Sequence, residues 1–329
     1  MHAIHRILVA IRDPAEKSQP ALAKAAVLAA RLEADVQLFH GIADRVFTDL
    51  AVTDSLDIEQ LEQERLAGFR QQLEVLARPL RRRGLKVSTA VEWDFPPHEA
   101  IVRNAMRFGA DLIVVAGHAG HHHLPWLLRY TDWELLRCSP VPVLLVKNAN
   151  AWRHPAVLAA LDPGHAFAKP SGLDDEILRC GATLAEALKG KIHAVHAYSP
   201  IPMNLPASQL AEPGAVEHAM AKAETAAMQA LKAVTDPFSL PRAHLHVMGR
   251  HPGDAIHDVS RQIGAQIVAL GSISRSGLDR VVIGNTAESL IDTLACDILV
   301  VKPPYFHHGV ARTPRGARVV TLAAAPGGF

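Results

Sequence analysis

Short apolar runs rich in β-branched residues alternate along this chain with longer stretches in which apolar positions recur every three or four residues. Residues 6–11 (Arg-Ile-Leu-Val-Ala-Ile) form such a run, as a parallel strand buried on both faces should. The Ala- and Leu-rich stretch 19–32 follows and predicts a helix, with Lys24 and Arg31 on its polar side. The pattern then predicts strands at 36–40, 87–92, 111–116 and 143–147, separated by helices over 57–83, 97–108 and 132–137. The same succession recurs with strands at 156–161, 192–196, 243–248, 266–270 and 297–301. Regular strand–helix alternation requires right-handed crossovers and therefore a doubly wound, parallel α/β sheet. Residues 303–329 carry Pro, Gly and Arg without periodicity and read as a flexible tail.

The succession recurs because the sequence repeats. Pro97-His98-Glu99-Ala100-Ile101 reappears as Pro252-Gly253-Asp254-Ala255-Ile256, and Gly109-Ala110 as Gly264-Ala265, at one shared offset. Thr131 and Lys147 find Thr286 and Lys302 at that same offset. Asp13-Pro14 matches Asp162-Pro163 at a slightly smaller one, which an insertion between the first and second strands accounts for. Separate landmarks at one spacing mark a tandem duplication. The expected domains are 1–148 and 154–302, each with a parallel five-stranded sheet, joined by a short linker near 148–154.

Composition narrows the function classes. The chain has 329 residues, 49% hydrophobic and 20% charged, enough apolar content for two cores. Its 34 Lys plus Arg balance 33 Asp plus Glu, a net charge of +1. Such a chain lacks the field that steers a protein onto nucleic acid or an anionic membrane. Cys138, Cys180 and Cys296 are too few and scattered for a disulfide framework or a thiolate zinc site. No apolar run approaches the roughly 18 residues of a membrane span, and residues 1–6 lead into the first strand without a leader-like segment. The expectation is a reduced, cytoplasmic protein with neither nucleic acid nor membrane as partner.

An open parallel sheet binds its ligand beyond the C-terminal ends of its strands. In the second half, the segment after the fourth strand runs Gly271-Ser272-Ile273-Ser274 and reaches Gly284-Asn285-Thr286. Glycines there let backbone N–H groups approach an anion, and a helix starting near Thr286 would aim its positive end at the same place. These residues resemble the universal stress protein family, whose phosphate loop reads Gly, two residues, Gly, nine residues, Gly, then Ser or Thr. Gly271 and Gly284 match the first and third glycines, Ser274 stands at the second, and Asn285 at the hydroxyl position with Thr286 beside it. Asp162 matches the acidic residue that follows strand one in nucleotide-binding members, where it faces the adenosine; an Asp-Pro-Gly turn is its plain structural role. The resemblance covers residues 4–302 as two copies. Arg275-Ser276-Gly277-Leu278, Gly284-Asn285-Thr286-Ala287-Glu288 and Thr131-Asp132-Trp133 resemble the tandem members in particular.

The first half departs from the pattern. Gly117 and Gly120 keep the leading spacing, but Arg129 and Tyr130 stand where Gly284 and Asn285 stand in the second half. Thr131 to Glu134 reads as a capping box, with Asp132 in a first helical turn where its charge opposes a phosphate. His121-His122-His123 reads as a solvated loop rather than a metal site, because adjacent side chains do not converge. His40 and His196 end the second strand of each half, where a rim or core role is the default. The resemblance implies a non-catalytic stress-response protein binding an ATP- or AMP-type nucleotide, with Mg²⁺ accompanying it, in the second domain. It also implies an intramolecular pseudo-dimer seamed by strands 143–147 and 298–302, with a further homodimer open. Two alternatives stand beside it: an apolar or acyl ligand, for which 201–206 could line a pocket, and weak ATP hydrolysis or nucleotidyl transfer.

Overall fold

A computed structural model describes residues 4–43, 45–49, 58–117, 126–164, 172–200, 214–272, 290–316 and 318–322. In chain order the elements are β1 (Arg6–Ala10), α1 (Pro20–Leu32), β2 (Asp35–Ile42), β3 (Arg45–Asp49), α2 (Ile58–Arg82), β4 (Val87–Trp93), α3 (Pro97–Phe108), β5 (Leu112–Ala116), α4 (Trp126–Cys138) and β6 (Val143–Val146). There follow β7 (Ala156–Leu161), α5 (Leu173–Ala187), β8 (Lys191–Ala197), α6 (Ala215–Thr235), β9 (Leu245–Met248), α7 (Pro252–Gln262), β10 (Ala265–Gly271), β11 (Asp297–Val301) and β12 (Arg318–Leu322). They fall into two compact units, one within 5–141 and 308–329, the other within 142–307.

In the first unit, β1 pairs in parallel with β2 and β5, and β2 with β4, giving the order β4-β2-β1-β5. Ile7, Leu8, Val9, Leu38, Phe39, Ile113 and Val114 have no solvent exposure. Continuous apolar strands such as these are what helices on both faces of a sheet demand. In the second unit, β11, β10, β7, β8 and β9 pair in parallel in that order, and β6 adds to β11 in antiparallel register, Leu144 opposite Leu299. The sequence repeat and the compact units therefore differ by one strand. β6 closes the first repeat in sequence; it pairs with β11 and falls within the second compact unit.

Local chemistry sets the helix ends. The repeated motif places Pro97 and Pro252 at the first position of α3 and α7, where the missing N–H costs nothing and φ is already helical. Gly109 ends α3 at φ 69°, its amide donating to the Ala105 and Met106 carbonyls. The helix expected over 132–137 starts earlier, at Trp126, so Thr131 is an interior residue of α4 and not its cap. A longer run of helical bonds outweighs the single cap that Thr131 would supply.

Two connecting segments are held more firmly than their sequences suggest. The linker is tied to the second unit: the Asn148 amide donates to the Ala295 carbonyl, Trp152 Nε1 to Asp297 Oδ2 at 2.9 Å, and the Arg153 amide to Gln266. Part of the segment expected to be a flexible tail, 303–329, is bonded to the first unit. The amides of Arg315 and Gly316 donate to Asp94 Oδ1 at 2.8 and 3.1 Å, and β12 pairs in parallel with β3. No helix among the described residues is long and apolar enough to cross a membrane.

Candidate functional site

Each unit has a hollow at the C-terminal edge of its parallel strands, where such sheets place ligands. In the second unit this is a cleft of about 710 Å³, lined by Gly164 beyond β7, His196 to Pro200 around the end of β8, and Gly249 to Pro252 between β9 and α7. A Cβ on Gly249 would lie 3.2 Å from Pro200 and 3.3 Å from the Tyr198 ring, so a glycine lets the strand ends close together there. Arg250 pairs with Asp258, and His251 caps α7 by accepting from the Gly253 amide at 3.2 Å. The cleft thus presents the Tyr198 ring together with Arg250 and His251, both positioned by structural bonds.

The hollow of the first unit is different in character. Its volume is about 320 Å³, walled by Ile11, Phe39, Ile42, Phe69, Ile101 and Val115, with Arg12, Asp13, His40 and Asp132 as its polar groups. Asp13 Oδ1 accepts from the Ala15 amide at 2.8 Å, an Asx turn that gives the Asp-Pro pair a structural task. Arg129, Tyr130 and Thr131 lie within the backbone of α4, so the stretch that matches the Gly284 loop of the second half is helical here.

One feature is common to both hollows. His40 is buried with Nδ1 2.8 Å from the Ile11 carbonyl, and His196 is buried with Nδ1 3.3 Å from the Leu161 carbonyl. A carbonyl only accepts, so Nδ1 carries a proton in each ring. The second strand's terminal histidine therefore pins the end of the first strand. Position in the repeat marked both residues; the sheet register supplied the bond.

The residues expected to bind nucleotide divide as follows. Asp162 directly follows β7, half-buried, its amide donating to Asp174 Oδ1 at 3.2 Å in the first turn of α5. Gly271 ends β10, and a Cβ there would fall 2.7 Å from Leu173 Cδ2. Its lack of a side chain lets α5 pack onto the sheet. Ser274, Gly284, Asn285 and Thr286 lie outside the described residues, as do His121 to His123 and 201–206.

Sequence reasoning passed over Ser272 and Lys302. Ser272 is fully buried, its amide donating to the Val301 carbonyl and its hydroxyl accepting from Lys302 Nζ at 2.9 Å. Lys302 also lies 4.7 Å from the centre of the Phe306 ring. Its repeat partner Lys147 acts otherwise, donating from Nζ to the Ile291 and Leu294 carbonyls, and burial lowers its proton affinity. The signal for Lys302 was its place in the repeat, which marked position and not contact. At the other end of β8, His193 stacks on His244 with ring centres 4.2 Å apart and sits 3.2 Å from His246; burial, then the neighbouring rings, push it down to about 4. No group of three His, Cys, Asp or Glu side chains among the described residues is arranged to hold a metal ion.

With this geometry in place, comparison with known proteins is decisive. The sequence pattern of the universal stress protein family matches residues 3–147 and again 166–302. The chain belongs to the universal stress protein family. It is similar to universal stress protein E of Salmonella typhi, 30% identical over 92% of this chain and 95% of that protein. Universal stress protein E of Escherichia coli K12 is 29% identical over 92% of this chain and 96% of its own length. Among solved structures, a protein of unknown function from Pseudomonas aeruginosa PAO1 superposes with a TM-score of 0.67 at 26% identity, covering 92% of this chain and 94% of that one. The protein is thus a stress-response protein of two tandem universal stress domains.

Proposed function

We propose that this tandem universal stress protein is a non-catalytic ligand sensor of the cytoplasm that takes an ATP- or AMP-type nucleotide in its second domain, with Mg²⁺ brought by the nucleotide. The observation that carries the reading is the cleft of about 710 Å³ at the strand ends of the second unit, whose wall residue Gly164 lies two positions beyond Asp162. Ser274, Gly284, Asn285 and Thr286 are the proposed phosphate-side residues. The non-catalytic part is supported by the cleft's basic side chains being engaged structurally, Arg250 by Asp258 and His251 by its own helix. Cys138, Cys180 and Cys296 form no disulfide among the described residues, which fits a reducing compartment. The antiparallel pairing of β6 with β11 supports an intramolecular pairing of the repeats in place of a homodimer. Occupancy stabilises one conformation of the domain and so presents one partner surface.

A second reading rests on a separate observation. The first unit's hollow of about 320 Å³ is mostly apolar, and Asp132 in its wall opposes a phosphate. That hollow suits a small apolar molecule.

A thermal-shift titration with ATP, AMP and a long-chain fatty acid, each with and without Mg²⁺, tests both. A ligand confined to the native state stabilises by about 2.7 kcal/mol at a hundred times its Kd. Gly164→Trp is the informative variant, because Gly164 lines the cleft and nothing lies within 4 Å of a Cβ there. The expected result is a nucleotide shift that Gly164→Trp removes. No nucleotide shift, or one that survives Gly164→Trp, overturns the first reading; a fatty-acid shift lost in Ala43→Trp, at the wall of the first hollow, supports the second.

A further inference from the structure

Residues 308–316 are bonded to α3 and to Asp94 just before it, and 318–322 pair with β3, next in the chain to the wall residues Ile42 and Ala43 of the first unit's cavity. The Ala311 carbonyl accepts from Arg103 Nε at 3.0 Å. The Arg315 and Gly316 amides converge on Asp94 Oδ1, and Arg315 Nη2 donates to Glu99 Oε1 at 2.9 Å. β12 then runs beside β3, which follows the wall residues Ile42 and Ala43. Asp94 immediately precedes α3, whose Pro97 and Ile101 form another part of the wall, and Glu99 lies between them.

The anchors are buried, whereas the stretch 311–315 that they hold is exposed. Asp94 is wholly buried and the Arg103 side chain is 3% exposed, whereas 311–315 are exposed throughout. Asp94 Oδ2 takes its hydrogen bond from Arg103 Nη1 at 2.6 Å, and Oδ1 takes its two from the segment. A buried carboxylate is costly unless its oxygens are bonded. Lifting the segment therefore requires water at Asp94, which leaves two discrete arrangements and no continuum between them. A segment held at Ala311, Arg315 and Gly316 by polar bonds and exposed over 311–315 belongs to the low end of local opening energies. Burial lowers the proton affinity of His98; Glu134 of α4, the helix that carries Asp132 of the wall, opposes that, and Arg315 adds a smaller push in the same direction as burial.

We propose that residues 308–322 are a latch on the first unit, and that its release admits an apolar ligand to the cavity between β2 and α3. This rests on the second reading above, that the cavity takes such a ligand.

The test uses the full chain and 1-aminoanthracene, an uncharged aromatic probe whose fluorescence rises in apolar surroundings. Thr48 and Thr321 are register partners on β3 and β12, so Thr48→Cys with Thr321→Cys allows a disulfide that locks the strap. The oxidised lock is expected to slow probe uptake about tenfold relative to the reduced form, while Asp94→Asn, which weakens the charge-assisted anchor, speeds it by a similar factor. Uptake within about twofold in locked and reduced forms, at a rate set by none of these changes, overturns the latch. Ala43→Trp should abolish probe binding. Failure of the probe to bind in any form, or binding that persists in Ala43→Trp, overturns the cavity reading and the latch with it, and is told apart from failure of the latch alone by that control. Independently, hydrogen exchange of the amides in 45–49 and 97–101 is expected to accelerate in Asp94→Asn, and unchanged exchange overturns the latch whether or not the disulfide forms.

Discussion

Gly271→Ala sets a packing role for this glycine against a phosphate-loop role. The new methyl enters the gap between β10 and α5, 2.7 Å from Leu173 Cδ2, 3.0 Å from its Cγ and 3.1 Å from Ile177 Cδ1. Leu173 and Ile177 are each 1% exposed, so neither side chain can swing into solvent to make room. Forcing a methyl into a filled core costs about 1–3 kcal/mol, and contacts this short place the variant in the upper part of that range. Hydrogen exchange of the β7 and β10 amides is the suitable assay, because it reports the unit that holds the gap, whereas global unfolding of a chain with two units need not be two-state. Leu173→Ala alone opens a void and costs about 2–5 kcal/mol. Combined with Gly271→Ala it also removes the clash, so the pair should be less damaging than the sum by about 1–2 kcal/mol. A Gly271→Ala protein within about 0.5 kcal/mol of the parent, or strict additivity with Leu173→Ala, refutes the packing argument. Gly271 would then owe its lack of a side chain to an approaching ligand.

Other outcomes follow from the same physical terms. Burial, against an opposing pull from Glu134, pushes His98 down to about 4, so the ring is neutral in the fold and takes up a proton on unfolding below its ordinary value. Its contribution is complete above about pH 6.5 and fades as the pH falls toward 4, at most about 3 kcal/mol; His98→Gln should flatten the acid limb of a stability–pH profile, and an unaltered limb would refute this. Asp297, 1% exposed, accepts from the Lys147 amide and from Trp152 Nε1, each at 2.9 Å. Asp297→Ala orphans both donors and should cost about 1–3 kcal/mol, with a changed Trp152 emission that shows the linker has come away from the second unit.

Much of the architecture was legible in the sequence. The strands are continuous apolar runs because a parallel sheet is covered on both faces, and the helices of the repeated motif start at Pro97 and Pro252 because proline is already set for a first turn. The duplication was visible as one offset shared by separate landmarks. These are local features, and a local pattern records which side of an element meets water. The α4 start was misread for the same reason, since the capping box at Thr131 is a local signal overridden by a helix begun at Trp126.

What the tertiary structure decided concerns groups far apart in the chain. The tail has no periodicity, yet it is held, because its amides meet a carboxylate at Asp94 more than two hundred positions away. Lys147 and Lys302 are matched in the repeat but donate to different partners, helix carbonyls for one and a buried serine for the other. His40 and His196 could be placed at strand ends from sequence, but their bonds to Ile11 and Leu161 exist only because parallel register brings those carbonyls alongside. Sequence marked Gly271 as a loop glycine; only the packing shows that α5 also closes on it at the end of β10. Periodicity along the chain selects which face of each element is buried. Which distant group then lies within 3 Å of it is settled by the packing of whole elements, to which no short stretch of sequence contributes alone.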